Sequence, residues 1–342
     1  MSTITLPSTD TAEVKARVRR FQDVQAAIKR EVHKAIVGQD EVIENILISI
    51  FVGGHCLLTG LPGTAKTLLV RTMARTLGLK FNRIQFTPDL MPSDITGTDI
   101  IDEDPASGRR GWTFVPGPIF ANVLLADEIN RTPPKTQSAL LESMQELSCT
   151  VRGRQYRIEP PFFVLATQNP IELEGTYPLP EAQLDRFLFN AVLGYLNADE
   201  ELTVVDLTTT TATAEAEIVT NGEEILEFQK LVRMTPVAEG VARHAIELVR
   251  ATRPGENGEA PDFIKKYVNF GASVRAAQFL VLAGKARALM HGRFHVAYED
   301  IRALVTPIMR HRVLLNFHAE SDRLDTDAIL KRLLDWKAAP RA

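Results

Sequence analysis

One stretch of the sequence combines glycine, lysine and threonine at a spacing that suits phosphate binding. The octapeptide GLPGTAKT at residues 60–67 follows an apolar run at 53–59 and precedes a helical pattern at 68–77. In a strand, loop and helix of this kind, loop N–H groups and the positive end of the helix surround the β- and γ-phosphates of a nucleotide. Lys66 would neutralise these phosphates and Thr67 would hold Mg²⁺. The sequence therefore predicts a phosphate-binding loop.

Ala65 makes the match imperfect, because it stands where this kind of loop usually has its second glycine. A methyl group near the phosphates can change the shape of the loop. The alternative interpretation is a plain tight turn. The strand before the loop and the helix after it favour the phosphate-binding interpretation, since the mechanism requires both.

A second candidate group is a pair of adjacent carboxylates, Asp127 and Glu128, at the end of the apolar run 123–126. Ligands of parallel sheets bind at the carboxyl ends of the strands. Asp127 can coordinate Mg²⁺ through water there, while Glu128 polarises the water that attacks the γ-phosphate. The alternative is a strand end that meets solvent. Together with the phosphate-binding loop, the pair predicts nucleotide hydrolysis.

A third candidate is Asn169, which follows the apolar run 162–167 and precedes a proline. On a neighbouring strand, its amide would lie near Glu128, where it can orient the attacking water and sense the γ-phosphate. An asparagine that caps a turn before proline is the alternative.

These groups need a sheet to position them, and the pattern between residues 37 and 200 predicts one. Short apolar runs alternate with helical segments, which is typical of a parallel sheet with helices on both faces. The five runs are 53–59, 81–87, 123–126, 162–167 and 187–193. Two further segments, 97–115 and 148–158, carry the turn signals of β-hairpins, the second with Gly153 at its turn.

The flanking regions are predicted to be mainly helical. Residues 1–36 contain an amphipathic helix, with apolar residues at steps of three and four from Val14 to Ile36, that would pack on the core. A Thr- and Ala-rich stretch within 201–222 lacks periodicity and is interpreted as an interdomain linker. Residues 223–342 are predicted to form a helical domain, with helices at 223–234, 237–252, 273–291 and 298–315.

Composition excludes several classes of protein. The net charge of −4 gives no basic excess for nonspecific binding to nucleic acid. Two cysteines cannot build a disulfide framework. The most apolar stretch, 46–58, is too short and too interrupted to span a bilayer, and the first residues lack a signal-peptide pattern. We therefore expect a soluble cytoplasmic protein of about two domains.

Longer motifs resemble those of the AAA+ ATPases, and within them the MoxR group. The matching segments are FVPGPI at 114–119, ADEINR at 126–131, PPKTQ at 133–137, ATQNP at 166–170 and GTYPLPEAQLDRF at 175–187. The resemblance covers about residues 20–315. It implies an α/β fold: an AAA+ P-loop NTPase core with a parallel five-stranded sheet, inserted β-hairpins at 97–115 and 148–158, and a C-terminal helical lid domain.

The resemblance also implies roles for residues. The loop corresponds to Walker A, Asp127 and Glu128 to Walker B, and Asn169 to sensor 1. Arg186 would be an arginine finger supplied to a neighbouring subunit, with an ion pair to Asp185 or Glu181 as the alternative. Arg275, in GASVR at 271–275, would be the sensor 2 residue of the lid that reaches the γ-phosphate. The predicted catalytic residues are Glu128, Asn169, Arg186 and Arg275. The predicted ATP contacts along the adenine are Val37, Gly38 and Gln39, and the other predicted ATP contacts are Gly60, Pro62, Gly63, Thr64, Ala65, Lys66, Thr67, Leu68 and Asp127. The predicted Mg²⁺ ligands are Thr67 and Asp127.

The function implied by the resemblance is ATP-driven remodelling or maturation of a protein client. A ring, usually a hexamer, and a partner with a von Willebrand factor A domain are part of that expectation. Three alternatives remain: a nucleic-acid motor that grips phosphates with Arg152, Arg154 and Arg157, a small-molecule P-loop kinase, and a nucleotide-gated scaffold with little turnover.

Overall fold

The computed structural model describes residues 11–61, 63–103, 110–169, 175–209, 215–255 and 260–338. Its strands are β1 (Cys56–Gly60), β2 (Phe81–Gln85), β3 (Gly97–Glu103), β4 (Arg110–Pro116), β5 (Val123–Asp127), β6 (Ser148–Val151), β7 (Arg154–Arg157), β8 (Phe163–Gln168), β9 (Phe189–Leu193), β10 (Val268–Phe270) and β11 (Leu314–Leu315). Its helices are α1 (Thr11–Val32), α2 (Asp40–Val52), α3 (Lys66–Thr76), α4 (Pro92–Thr96), α5 (Pro134–Glu146), α6 (Glu181–Leu184), α7 (Ala198–Thr209), α8 (Gly222–Met234), α9 (Glu239–Arg250), α10 (Asp262–Tyr267), α11 (Val274–Met290), α12 (Tyr298–Met309), α13 (Phe317–Ser321) and α14 (Thr326–Trp336).

A five-stranded parallel sheet forms the centre of the fold, in the order β2-β5-β8-β1-β9. This confirms the predicted sheet. Each of the five predicted apolar runs coincides with one strand, which extends at most one residue beyond the run. Because all strands point the same way, the ends of β1, β5 and β8 meet at one edge.

The side chains of the central strands alternate between two cores, as the two-residue period of a strand requires. On β5, Val123 and Leu125 belong to a core that also contains residues of α1, α2, α3 and the C-terminal helices. Leu124 and Ala126 belong to a core against α5 on the other face. The sheet is buried on both faces, so its strands are apolar throughout.

The N-terminal helix α1 contacts both the α/β core and the C-terminal helices. Its Phe21 ring lies 4.7 Å from the ring of Phe51 on α2 and 5.2 Å from that of Phe228 on α8. The apolar stretch 46–58 falls partly in α2. Gly53, which follows this helix, has a left-handed conformation (φ 72°). Across the described ranges, no helix combines the length and the apolar character needed to cross a bilayer.

Two antiparallel hairpins occupy the segments predicted to form them. Strands β3 and β4 pair along their length, while the predicted turn at 104–109 lies outside the described residues. Strands β6 and β7 pair around a turn in which Arg152 and Gly153 both have positive φ. The hairpins contact each other, because the rings of Phe114 and Tyr156 stack at 3.8 Å and the Arg152 guanidinium lies 4.1 Å from the Trp112 ring centre.

The predicted linker at 201–222 is wrong in its first part, because residues up to Thr209 belong to α7. The threonines of this helix do not disrupt it, since their hydroxyls donate to the carbonyls four residues earlier. Thr203 donates to Asp199 O at 2.8 Å, and Thr208 donates to Val204 O at 2.8 Å. Composition alone therefore concealed a helix.

The C-terminal region from α8 to α14 is mostly helical, and it carries one small antiparallel sheet of β10 and β11. The predicted helix at 298–315 extends too far. Helix α12 ends at Met309, and Leu314 and Leu315 form β11. A helical pattern and a short apolar strand cannot be separated by periodicity over so few residues.

Candidate active site

The loop at 60–67 connects β1 to the start of α3, as predicted. Gly63 and Ala65 have positive φ angles of 82° and 57°. This conformation is strained for alanine by about 1–2 kcal/mol and explains why glycine is usual at this position. The Lys66 ammonium donates to Gly60 O at 2.5 Å and to Leu61 O at 3.2 Å. Pro62 lies outside the described residues.

The adjacent carboxylates are held by residues that the sequence analysis missed. Arg83 Nη2 donates to Asp127 Oδ2 at 2.6 Å, and the Thr167 hydroxyl donates to Asp127 Oδ1 at 2.6 Å. Gln85 Nε2 donates to Glu128 Oε2 at 2.8 Å. Arg83 and Gln85 alternate on β2, where Gln85 is in register with Asp127. This spacing of two residues was the signal in the sequence that could have placed both side chains on one face of β2, beside the carboxylates.

Glu128 leaves the strand in a left-handed conformation, with φ 56°. Its backbone N–H donates to Thr167 Oγ1 at 2.8 Å, and its carboxylate forms an ion pair with Arg131 at 3.2 Å. Thr167 thus fixes both of these adjacent acidic residues from the neighbouring strand β8. Such backbone strain at a ligand cavity commonly marks a functional site.

The predicted phosphate-binding and water-activating residues surround one cavity. It measures about 570 Å³. Its lining residues are Gly63, Thr64, Ala65, Lys66, Thr67, Leu68, Asp127, Glu128, Thr167 and Asn169. A cation, a hydroxyl group, two carboxylates and an amide therefore face the same space, at the carboxyl edge of the sheet.

A second cavity of about 450 Å³ shares Gly63, Thr64, Ala65 and Leu68 with the first. Its remaining wall is largely apolar and comes from the segment before α2, the end of β9 and α7. Those residues include Ala35, Ile36, Val37, Gln39, Leu193, Leu196, Val204 and Val205. A polar cavity joined to an apolar one fits a nucleoside triphosphate, with its base in the apolar part.

The segment predicted to contact adenine has an unusual backbone. Gly38 and Gln39 both have positive φ, at 63° and 59°. A β-carbon on Gly38 would lie 2.6 Å from Glu200 Oε1 on α7, so a larger residue would force the Glu200 side chain to move and would strain the left-handed backbone. Gln39 Nε2 donates to Gly194 O at 3.1 Å. The helix that composition assigned to a linker thus forms part of the candidate base site.

The two predicted site arginines lie elsewhere. Arg186 and Arg275 line a separate cavity of about 130 Å³ together with His55, Met144 and Gln145. Arg186 donates to Leu141 O at 2.8 Å. Asp185 pairs with Arg275 at 3.2 Å. Neither arginine lines the phosphate cavity of its own chain.

The sheet separates these arginines from the phosphate loop. Arg186 precedes β9, and His55 precedes β1, whereas the loop follows β1. Strand β1 has five residues, so the two edges are about 13–16 Å apart. The lid docks the N-terminus of α11 against the amino edge of the sheet, so Arg275 lies at the edge opposite the phosphate loop of its own subunit.

Comparison with known proteins agrees with this geometry. The ATPase family associated with various cellular activities (AAA) matches residues 55–189, and the AAA lid domain matches residues 263–333. The chain is 42% identical over 311 residues to Chaperone MoxR1 of Mycobacterium tuberculosis, covering 91% of this chain and 81% of that protein. It is 33% identical over 331 residues to Protein MoxR of Paracoccus denitrificans, covering 92% and 94%.

A solved structure is also similar. The crystal structure of a protein from Cytophaga hutchinsonii that is named as an ATPase superposes with a TM-score of 0.88. The two chains are 40% identical, and the match covers 96% of this chain and 99% of the other.

Proposed function

The chain belongs to the MoxR family of AAA+ ATPases, and from that premise we propose that it hydrolyses Mg-ATP in a ring of identical subunits to remodel or mature a protein client. The observation that carries the proposal is the division of the site. The phosphate-binding residues and Glu128 lie at one edge of the sheet, and Arg186 and Arg275 lie at the other. Each subunit thus presents two halves of a site, and a neighbour is needed to join them.

The residues at the carboxyl edge suit the hydrolytic step. Lys66 binds the β- and γ-phosphates, and Glu128 accepts the proton of the attacking water while Asn169 orients that water. Thr67 and Asp127 would hold Mg²⁺, which when bound neutralises phosphate charge and favours departure of ADP. Arg83 and Thr167 fix the Asp127 carboxylate in position.

The arginines at the amino edge suit the neighbouring nucleotide. Two guanidinium groups line this cavity, and one of them, Arg275, is paired with Asp185; in the proposal they turn to the γ-phosphate of a neighbouring nucleotide. An arginine supplied by a neighbour can accelerate phosphoryl transfer by about 10³–10⁵. We infer that Arg186 and Arg275 act together in trans, and that loss of the γ-phosphate releases the contact between subunits.

The proposed client is a protein, which is supported by the name Chaperone MoxR1 of a relative at 42% identity. We propose a hexameric ring and a partner with a von Willebrand factor A domain as the finer form of this function. We also propose a cytoplasmic location; both cysteines are free and buried, which suits a reducing compartment.

Mixed assemblies test the composite site. Lys66→Ala should lose nucleotide binding, while Glu128→Gln should retain binding and lose turnover. Arg186→Ala should also be inactive alone. Mixing Arg186→Ala with Glu128→Gln subunits should restore part of the phosphate release, because some interfaces then combine an intact Glu128 with an intact arginine. Verified mixed rings without any recovery would contradict the proposal.

A further inference from the structure

One lid arginine is bonded almost entirely to the segment that carries Arg186. Arg312 follows α12, and its side chain is 1% exposed. Its guanidinium donates to Asp185 O at 2.9 Å, to Phe187 O at 2.5 Å and to Leu188 O at 3.4 Å. Outside that segment, Arg312 Nη1 also donates to Ile308 O and lies 2.7 Å from Nε2 of the adjacent His311. The lid thereby fixes the backbone on both sides of Arg186.

The carboxylate next to Arg186 joins the same lid to Arg275. Asp185 Oδ1 accepts from Arg312 Nε at 2.8 Å, and Asp185 Oδ2 accepts from Arg275 Nη1 at 3.2 Å. The Ser273 hydroxyl donates to the same carboxylate at 3.2 Å, and Ser273 also caps α11. One carboxylate therefore joins Arg275 to the buried Arg312, and it belongs to the residue that precedes Arg186 in the chain.

The charge of this cluster depends on Asp185. Burial lowers the pKa of Arg312 to about 10, while the Asp185 carboxylate opposes that effect, so the guanidinium stays protonated at neutral pH. Without the carboxylate, the positive charges of Arg275 and the buried Arg312 would repel each other. The bidentate fork of arginine, which lysine lacks, allows one side chain to hold a carboxylate and several carbonyls together.

We propose that Asp185 and Arg312 are positioning residues that hold Arg186 and Arg275 as one unit, so that lid and finger move together against the neighbouring nucleotide. This inference rests on the proposed function, since it concerns the same composite site. The two residues act through the arginines, and neither lies at the phosphate cavity of its own subunit.

The test uses Asp185→Asn in the full-length assembled protein. We expect kcat to fall by about 10- to 100-fold, the range for a site group displaced by about 1 Å. Affinity for ADP, which lacks the γ-phosphate that the arginines would contact, should be unchanged, because the P-loop lies at the other edge of the sheet. A merely structural defect would lower both kcat and the nucleotide affinity.

Asp327→Asn is the matched control. It removes the carboxylate that Arg310 binds at 2.6 and 2.9 Å in the same lid, away from 185–188. Its kcat should stay within about twofold.

Mixed rings locate the defect. Asp185→Asn combined with Glu128→Gln should recover phosphate release. The first subunit keeps Asp127 and Glu128 at the phosphate cavity, and the second keeps its arginines and Asp185. Asp185→Asn combined with Arg186→Ala should not recover, since both lack a working arginine unit. If Asp185→Asn does not assemble, Arg312→Lys is used in the same mixtures; it keeps the charge and removes the fork.

The outcomes separate the two proposals. If Arg186→Ala with Glu128→Gln recovers and Asp185→Asn or Arg312→Lys with Glu128→Gln does not, the positioning role is overturned and the composite site stands. Unchanged kcat in both positioning variants also overturns it. If none of the mixtures recovers, the composite site itself fails.

Discussion

His55 provides a test of how the amino edge of the sheet is built. Its Nδ1 accepts the Val164 N–H at 3.1 Å, so its Nε2 carries the proton and donates to Met144 O at 3.1 Å. Burial lowers the pKa of this ring from 6.5 to about 4. The neutral imidazole bridges β8 and α5 beside the cavity of Arg186 and Arg275.

The expected effect on stability follows from the difference in pKa between states. The unfolded chain binds a proton on this ring near pH 6.5, whereas the folded chain does so near pH 4. The contribution is therefore complete above pH 6.5 and is lost as the pH falls towards 4. At about 1.36 kcal/mol per pKa unit, the total is roughly 3 kcal/mol, of which about 2 kcal/mol is lost by pH 5.

The assay compares wild type with His55→Asn, which keeps an acceptor for Val164 N–H but cannot titrate. Urea unfolding is followed by circular dichroism at pH 7.5 and 5.0. We expect the wild type to be more stable at pH 7.5 and its advantage to shrink by about 2 kcal/mol at pH 5.0. The other histidines are the same in both proteins, so their contributions to the difference cancel. An advantage that stays constant between the two pH values would refute the assigned tautomer and burial.

Two further predictions concern the base site and the hairpins. Gly38→Ala should weaken ATP binding at least about tenfold, since the left-handed backbone and the contact with Glu200 both cost energy. Titration with a fluorescent nucleotide measures this affinity. The control is Gly153→Ala, which has positive φ but open space around it and should bind ATP normally. Trp112→Ala tests whether the paired hairpins take part in client contact: it removes a largely exposed ring that packs against Arg152 of the other hairpin, and client capture should fall with ATPase activity kept. A pull-down with unchanged client recovery would contradict it.

The features that were predictable from the sequence are those set by local patterns. The loop around Lys66 has a fixed spacing, and the strands that end at Asp127 and Gln168 are continuous apolar runs with buried faces. Parallel strands then place their ends together without further information. The family and the α/β fold with a lid followed from the same motifs.

The features that were not predictable depend on tertiary packing. The position of Arg275 depends on how α11 docks against Asp185, which no local pattern encodes. Arg312 reads as an ordinary charge in the sequence, and its burial arises only when α12 packs beside β9. Helix α7 was not predicted because it is rich in threonine. The threonine hydroxyls donate to backbone carbonyls of the same helix, which composition does not reveal.

The core that joins α1, one face of the sheet and the C-terminal helices has a mechanical consequence. Its members include Phe21, Leu58, Leu125, Leu280 and Leu304, which form one continuous packed cluster. Close-packed interiors transmit strain and resist shear. A hinge motion between the sheet and the C-terminal helices within one protomer would have to separate the members of this cluster. In the proposed ring, nucleotide turnover would therefore move whole protomers against one another, with each protomer acting as a rigid body.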